Sequence, residues 1–162
     1  MKRKVFITLS GILLLAFVSF CLSSLVTPKK TTLWQGILGG FEEDGVKTDE
    51  IVWKYADYYD DDMREFSEPA EGEGFDSILS ALQDIQVRRA FTKGEYGEFH
   101  KLRIHGQYKG ALKDGVYKVY EIKANITAME GGKILAEISG IRSRALYFQS
   151  LSEVPPFAEF FR

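Results

Sequence analysis

Cysteine is nearly absent from this sequence, since Cys21 is the only one in 162 residues. A single cysteine excludes an internal disulfide scaffold and a zinc site built from several thiolates. The fold must therefore be stabilised by packing, for which 45% hydrophobic and 14% aromatic residues supply the material. Neither a G-x-G-x-x-G segment nor a P-loop spacing occurs, so a phosphate cradle for a nucleotide is not expected.

Net charge is also small, at −2, but it is unevenly distributed. Residues 40–76 carry 14 acidic against three basic side chains, whereas residues 77–162 carry 13 basic against nine acidic ones. The second half has no lysine or arginine cluster, so a nucleic-acid partner is not expected. The acidic half is either a solvated face or a surface that attracts a basic partner or cations.

One long hydrophobic run is present, at residues 5–26, with lysines on both sides. As a helix it would measure about 33 Å, enough to cross a bilayer. It is typical of a cleaved secretory signal that ends near Ser24, or of an uncleaved transmembrane helix that makes the membrane a partner. Residues 18–21 also resemble a lipobox apart from Phe20, which makes Cys21 a lipidation candidate. All three interpretations predict an extracytoplasmic protein, membrane-anchored or secreted.

The rest of the chain divides into a connector at residues 27–47 and one domain at residues 48–162. The connector places Trp34, Ile37, Leu38 and Phe41 among glycines, which predicts an irregular or partly helical segment that docks on the domain.

Two amphipathic helices are expected in the domain. Residues 48–66 have a capping Thr48 and apolar residues at helical spacing, although Ile51, Trp53 and Tyr55 would also alternate as a strand. A second helix from Phe75 carries a clear apolar stripe that includes Ile78 and Leu82.

Alternating patterns predict antiparallel strands at residues 98–108, 116–128, 134–141 and 145–148, with a tight turn at Gly131 and Gly132. The expected fold class is therefore α+β, with two helices packed on a three- to four-stranded meander sheet. By element order alone, this layout resembles the cone-shaped nuclear transport factor 2-like and cystatin-like folds.

No metal site or cofactor is expected. The acidic cluster around Asp57 and Asp60 fails the EF-hand pattern, because neither register has glycine at the sixth position. His100 and His105 lie five apart on one predicted strand, so they should point to opposite faces and cannot share a metal. His100 is either a core histidine or a general base that would need Glu98 or Tyr120 close by.

The leading hypothesis is a non-catalytic binding or accessory module that engages a protein partner. Phe157, Phe160 and Phe161 are the candidate contacts, unless they cover the fold instead. An alternative is a carrier of a small apolar ligand held between sheet and helices and lined by Tyr55, Tyr59, Tyr120 and Phe148. A hydrolase centred on His100 comes third. A core cavity would favour the carrier, whereas a filled core with an exposed apolar patch would favour the partner module.

Overall fold

The computed structural model describes residues 29–60, 63–90, 100–113 and 115–161. These residues form one antiparallel sheet of eight strands with two α-helices. The strands are β1 (Lys30–Thr32), β2 (Ile51–Asp60), β3 (Met63–Pro69), β4 (Gln86–Arg89), β5 (His100–Lys113), β6 (Val116–Met129), β7 (Lys133–Ser139) and β8 (Ser143–Ser150). The helices are α1 (Leu33–Glu43) and α2 (Glu73–Asp84), and short 3₁₀ helices lie at Thr48–Glu50, Glu130–Gly132 and Phe157–Phe161.

The strand order across the sheet is β1-β4-β8-β7-β6-β5-β2-β3. Strands β5 to β8 form a meander, and β2 and β4 add to its two sides. The predicted turn is confirmed, because Gly131 and Gly132 both have a positive φ near 70°.

The helices lie on one face of the sheet and close the core against it. Even-numbered residues of β5 to β8, such as Ile104, Ile126 and Phe148, are buried there together with Ile37 of α1 and Ile78 of α2. This surface is called the helix side, and the opposite surface is called the helix-free face.

The predicted α+β class is wrong, because the described chain is mostly β: eight antiparallel strands rather than three or four, with the two helices as its smaller part. The four meander strands are present, and α2 is the helix predicted from Phe75. The cone-like layout expected from element order is also wrong, because β2 and β3 occupy the place of the first predicted helix.

The first predicted helix, at residues 48–66, is wrong: the described part of this segment folds as a 3₁₀ turn followed by strands, and a β-bulge at Lys54 interrupts the strand alternation in the sequence. Trp53 pairs with Gly106 and Tyr55 with the adjacent His105, so β2 uses one extra residue. Ile51 and Trp53 therefore face the helix side before the bulge, and Ala56 and Tyr58 face it afterwards. The resulting spacing of buried residues imitates a helical period.

Helix α1 occupies the predicted connector and belongs to the same core. Thr32 caps it by accepting a hydrogen bond from the Gln35 backbone N–H at 3.2 Å. Its C-terminal acids would oppose the helix dipole, but Arg89 and Arg144 pair with Glu43, and Arg144 Nη2 also lies 2.6 Å from Asp44 Oδ1.

Within the described residues, neither α1 nor α2 is long and apolar enough to cross a membrane. The described residues therefore give no support to the predicted transmembrane helix. The apolar run at 5–26 and the lipidation candidate Cys21 lie outside the described residues.

Gly40 should tolerate no side chain. A Cβ there would overlap Leu146 Cδ1 and lie 2.9 Å from Ile138 Cδ1, so these buried side chains or α1 would have to shift. We expect Gly40→Ala to lower the free energy of unfolding by about 1–3 kcal/mol. Gly39→Ala is the matched control, since its Cβ would meet nothing within 4 Å, and helix propensity should make it about 0.5–1 kcal/mol more stable. Urea unfolding measures both, and equal effects would contradict the close approach.

Candidate functional site

Odd-numbered residues of β5 to β8 and the odd-numbered residues of β2 after its bulge share the helix-free face. One cross-strand row contains Tyr55, His105, Lys123, Ser139 and Ser143. The next row contains Asp57, Arg103, Asn125, Glu137 and Ala145. The two adjacent rows are therefore almost entirely polar.

Asp57 and His105 form a buried polar pair on this face. Only 2% of Asp57 is exposed, and the His105 side chain is 12% exposed. His105 Nε2 lies 3.8 Å from Asp57 Oδ2, which is beyond hydrogen-bond range. Among the described residues, neither Asp57 Oδ1 nor His105 Nε2 has a hydrogen-bond partner. Arg64 Nη1 lies 4.0 Å from Asp57 Oδ1 and is a long ion-pair partner of this buried carboxylate.

Tyr55 stacks on the other surface of the imidazole. The two ring centroids are 4.3 Å apart and the ring planes differ by 24°. Burial lowers the pKa of His105, and Arg103 and Lys123 lower it further, although the Asp57 and Glu121 carboxylates oppose the shift. His105 is therefore a neutral imidazole near pH 7.

Arg103 is held by three contacts around this pair. Its Nε donates to Asn125 Oδ1 at 2.8 Å, and its Nη1 donates to the Tyr59 hydroxyl at 3.1 Å. The guanidinium also lies 4.3 Å from the centroid of the Tyr59 ring. The Tyr59 hydroxyl in turn donates to Asp57 Oδ2 at 3.4 Å, so the polar network is continuous from β2 to β6.

Two clefts open on the helix-free face. The first, of about 300 Å³, is lined by Lys54, Tyr55, His105, Gly106, Gln107, Glu121 and Lys123. The second, of about 370 Å³, is lined by Asn125, Glu137, Ile138, Ser139, Ser143, Arg144 and Ala145. The row from Tyr55 to Ser143 joins them, because its first three residues line the first cleft and its last two line the second.

A second candidate surface is a two-stranded ribbon of residues 109–113 and 116–120, called the β5–β6 ribbon. Pairing with β2 ends at Tyr108, and pairing with β7 begins at Lys123, so among the described strands the ribbon pairs only with itself. It exposes Val116, Tyr117 and Val119 by 70%, 49% and 58%. Lys109 Nζ lies 3.8 Å from the centre of the Tyr117 ring, which makes the apolar patch locally cationic.

The four predicted pocket residues do not share one surface. Tyr55 and Tyr59 lie on the helix-free face beside His105 and Arg103. Tyr120 contacts Tyr108, with ring centroids 6.4 Å apart, and Phe148 is buried beneath α1. The pocket therefore cannot be assembled from this set, although Tyr55 lines the first cleft.

The C-terminal phenylalanines pack onto the fold. Phe157 and Phe160 are buried, and the Phe161 ring stacks on Phe66 with centroids 5.9 Å apart. Of the two expectations for the tail, the structure agrees with the one in which these side chains cover the core.

The two histidines point to opposite faces, as their spacing predicts. His100 Nδ1 lies 2.8 Å from the Tyr58 hydroxyl and 3.3 Å from Asp60 Oδ1, on the helix side at the start of β5. Burial raises the pKa of Tyr58, which keeps its hydroxyl protonated. Glu98, one of the two partners considered for His100, lies outside the described residues, and no cluster of three or more possible metal ligands occurs within them.

Sequence reasoning missed the Asp57–His105 pair because a bulge decides that both lie on one face. The available signal was the alternation of Arg103, His105 and Gln107 with Leu102 and Ile104, which places the polar side chains together on β5. Nothing in the sequence assigns Asp57 to the same surface.

The lowered pKa of His105 predicts a pH-dependent stability. The unfolded chain binds a proton at about pH 6.5, above the pKa of the folded state, so the unfolded state holds more protons between the two values. This stabilisation is present above the unfolded pKa and is lost as the pH falls. We expect His105→Gln to lose less unfolding free energy than the wild type between about pH 7.5 and pH 5 in urea titrations. Parallel losses would contradict a neutral buried imidazole.

Similarity to known proteins gives no guide to this site. The chain matches no protein-family model, no curated protein and no solved structure. Its function must be argued from the residues and their contacts.

Proposed function

We propose that this chain is a non-catalytic, extracytoplasmic binding or accessory module that engages another protein through the β5–β6 ribbon. The proposal of export rests on the apolar run at residues 5–26 and its flanking lysines. The proposal of binding rests on one observation: three large apolar side chains are exposed together on a strand pair that no other described strand covers.

Close packing between sheet and helices favours a partner module over an apolar-ligand carrier. A Cβ on Gly36 would lie 2.7 Å from Phe148, and one on Gly40 would overlap Leu146. Helix α1 therefore rests directly on β7 and β8, and Phe148 fills the contact rather than lining a space.

The ribbon has the features of a surface that a partner covers in a complex. An isolated two-stranded ribbon is marginally stable in water, and exposed valines add to its cost. Val116 and Val119 lie on opposite faces of β6, so a partner that covers both must also contact the strand edge. The backbone groups of that edge can pair with an extended segment of the partner, as in β-strand addition.

The charges beside the ribbon indicate the chemistry of the partner. Lys109 and Lys118 lie over the rings of Tyr117 and Tyr120, at 3.8 and 4.7 Å from the ring centroids. These ammonium groups flank the exposed apolar side chains. The complementary partner is a different protein that offers an extended segment with alternating apolar and acidic side chains.

A photoreactive phenylalanine analogue at Tyr117 should crosslink to one protein in the cells from which the gene comes. Replacing Val116 and Val119 by Ser should abolish that adduct, because the apolar contacts are lost. These exposed substitutions should change the free energy of unfolding by only about 0.5 kcal/mol each. Mass spectrometry of the adduct identifies the partner and the crosslinked segment.

Met63 provides the matched control, since it is 73% exposed but lies on the edge strand β3, away from the ribbon. The same analogue at Met63 should give no such adduct. Equal adducts at both positions, no adduct, or an adduct with a second copy of this chain would each overturn the proposal. Binding of the purified protein to anionic lipid vesicles that depends on Val119 would overturn it in favour of a membrane surface.

A further inference from the structure

We infer that the helix-free face is a binding site for a neutral linear oligosaccharide, laid across the strands from Tyr55 to Ser143. This is a function of a different surface from the β5–β6 ribbon. Three observations support the inference: the two clefts lie in one line, their lining is polar, and a buried pair lies behind the first cleft.

The two clefts lie along one line across five strands, and the surface along this line is called the trough. The row Tyr55, His105, Lys123, Ser139 and Ser143 runs perpendicular to the strands, through β2, β5, β6, β7 and β8. Four inter-strand spacings of about 4.8 Å give the row a length of about 19 Å. A row of this length suits an extended ligand of several linked units, such as a short oligosaccharide.

The lining excludes a strongly charged ligand. In the first cleft, Lys123 Nζ is already paired with Glu121 Oε2 at 3.0 Å, and the lowered pKa of His105 keeps its imidazole neutral. Of the described residues, Lys54 is the only other charged one that lines this cleft, and it leaves the cleft with one unpaired positive charge. In the second cleft, Glu137 is the charged side chain on this face, because Arg144 pairs with Glu43 and Asp44 on the helix side. An anion or a cation would therefore meet both attraction and repulsion.

The same lining suits a ligand with many hydroxyl groups. The Gln107 and Asn125 amides, the Ser139 and Ser143 hydroxyls and the Glu137 carboxylate supply hydrogen-bond donors and acceptors along the whole trough. The Tyr55 ring, 37% exposed, provides a flat apolar surface at one end. A pyranose ring has an apolar C–H face and polar edges, so it can stack on Tyr55 while its hydroxyls bond to the neighbouring side chains.

The imidazole of His105 backs this aromatic surface. Tyr55 stacks on His105 with ring centroids 4.3 Å apart, and His105 Nε2 lies 3.8 Å from Asp57 Oδ2 on the inner side of the stack.

Isothermal titration of the purified full chain, kept in a detergent without a sugar headgroup, tests the inference. The probes are cellotetraose, chitotetraose and maltotetraose, with glucose and inorganic phosphate for comparison. We expect at least one tetrasaccharide to bind about tenfold or more tightly than glucose, and phosphate not to bind. Tyr55→Ala should weaken that binding about tenfold, whereas Tyr55→Phe should retain it because the stacking surface remains.

Met63→Ala, on the exposed β3 edge, is the control that should leave binding unchanged. The absence of binding by all three tetrasaccharides at about 10 mM would overturn the inference. Three other outcomes would also overturn it. These are equal affinities for glucose and the tetrasaccharides, binding of phosphate in place of a sugar, and tetrasaccharide binding that Tyr55→Ala does not weaken. Chemical-shift changes in ¹⁵N spectra, expected at His105 and Ser139 but not at Val119, separate this site from the ribbon.

Discussion

The β-bulge at Lys54 is the constraint on which both surfaces of the sheet depend. Before it, Ile51 and Trp53 face the helices, and the Trp53 ring lies 5.1 Å from that of Trp34 in α1. After it, Tyr55, Asp57 and Tyr59 turn to the helix-free face. Gly106 makes this possible, since a Cβ there would lie 2.9 Å from both Ile51 and Trp53. The extra residue in β2 thus places Ile51 and Trp53 on the helix side and the polar residues that follow on the helix-free face.

The predictable part of the fold is the part whose pattern is local. Strands β5 to β8 alternate regularly and turn at paired glycines, and α2 has an uninterrupted apolar stripe, so each follows from periodicity. Strands β2 and β3 do not, because the bulge changes the parity of β2 and β3 is an exposed edge with little to bury. Helix α1 was obscured by its glycines, which lower helix propensity but allow the close approach to Leu146 and Phe148.

Only parts of the candidate site could be predicted, because here too only local patterns can be read from the sequence. The opposite orientation of His100 and His105 follows from strand alternation, and Tyr55 was identified as a pocket residue. The contacts of His105 with Asp57 and Tyr55 join residues about fifty positions apart in sequence, through a register that side-chain type does not encode. The two clefts likewise depend on the alignment of five strands, which no single segment determines.

Exposed apolar side chains are informative on the ribbon and less so on the edge strand β3. Strand β3 also exposes Met63, but Arg64, Glu65 and Glu68 lie along it and Pro69 ends it, and charges and proline are how edge strands avoid pairing. The exposed stretch of β6 contains Val116, Tyr117 and Val119 with Lys118 as its one charge. Unpaired strands of both kinds are subject to the same aggregation hazard, and the ribbon, which lacks this protection, is where we propose that a protein partner binds.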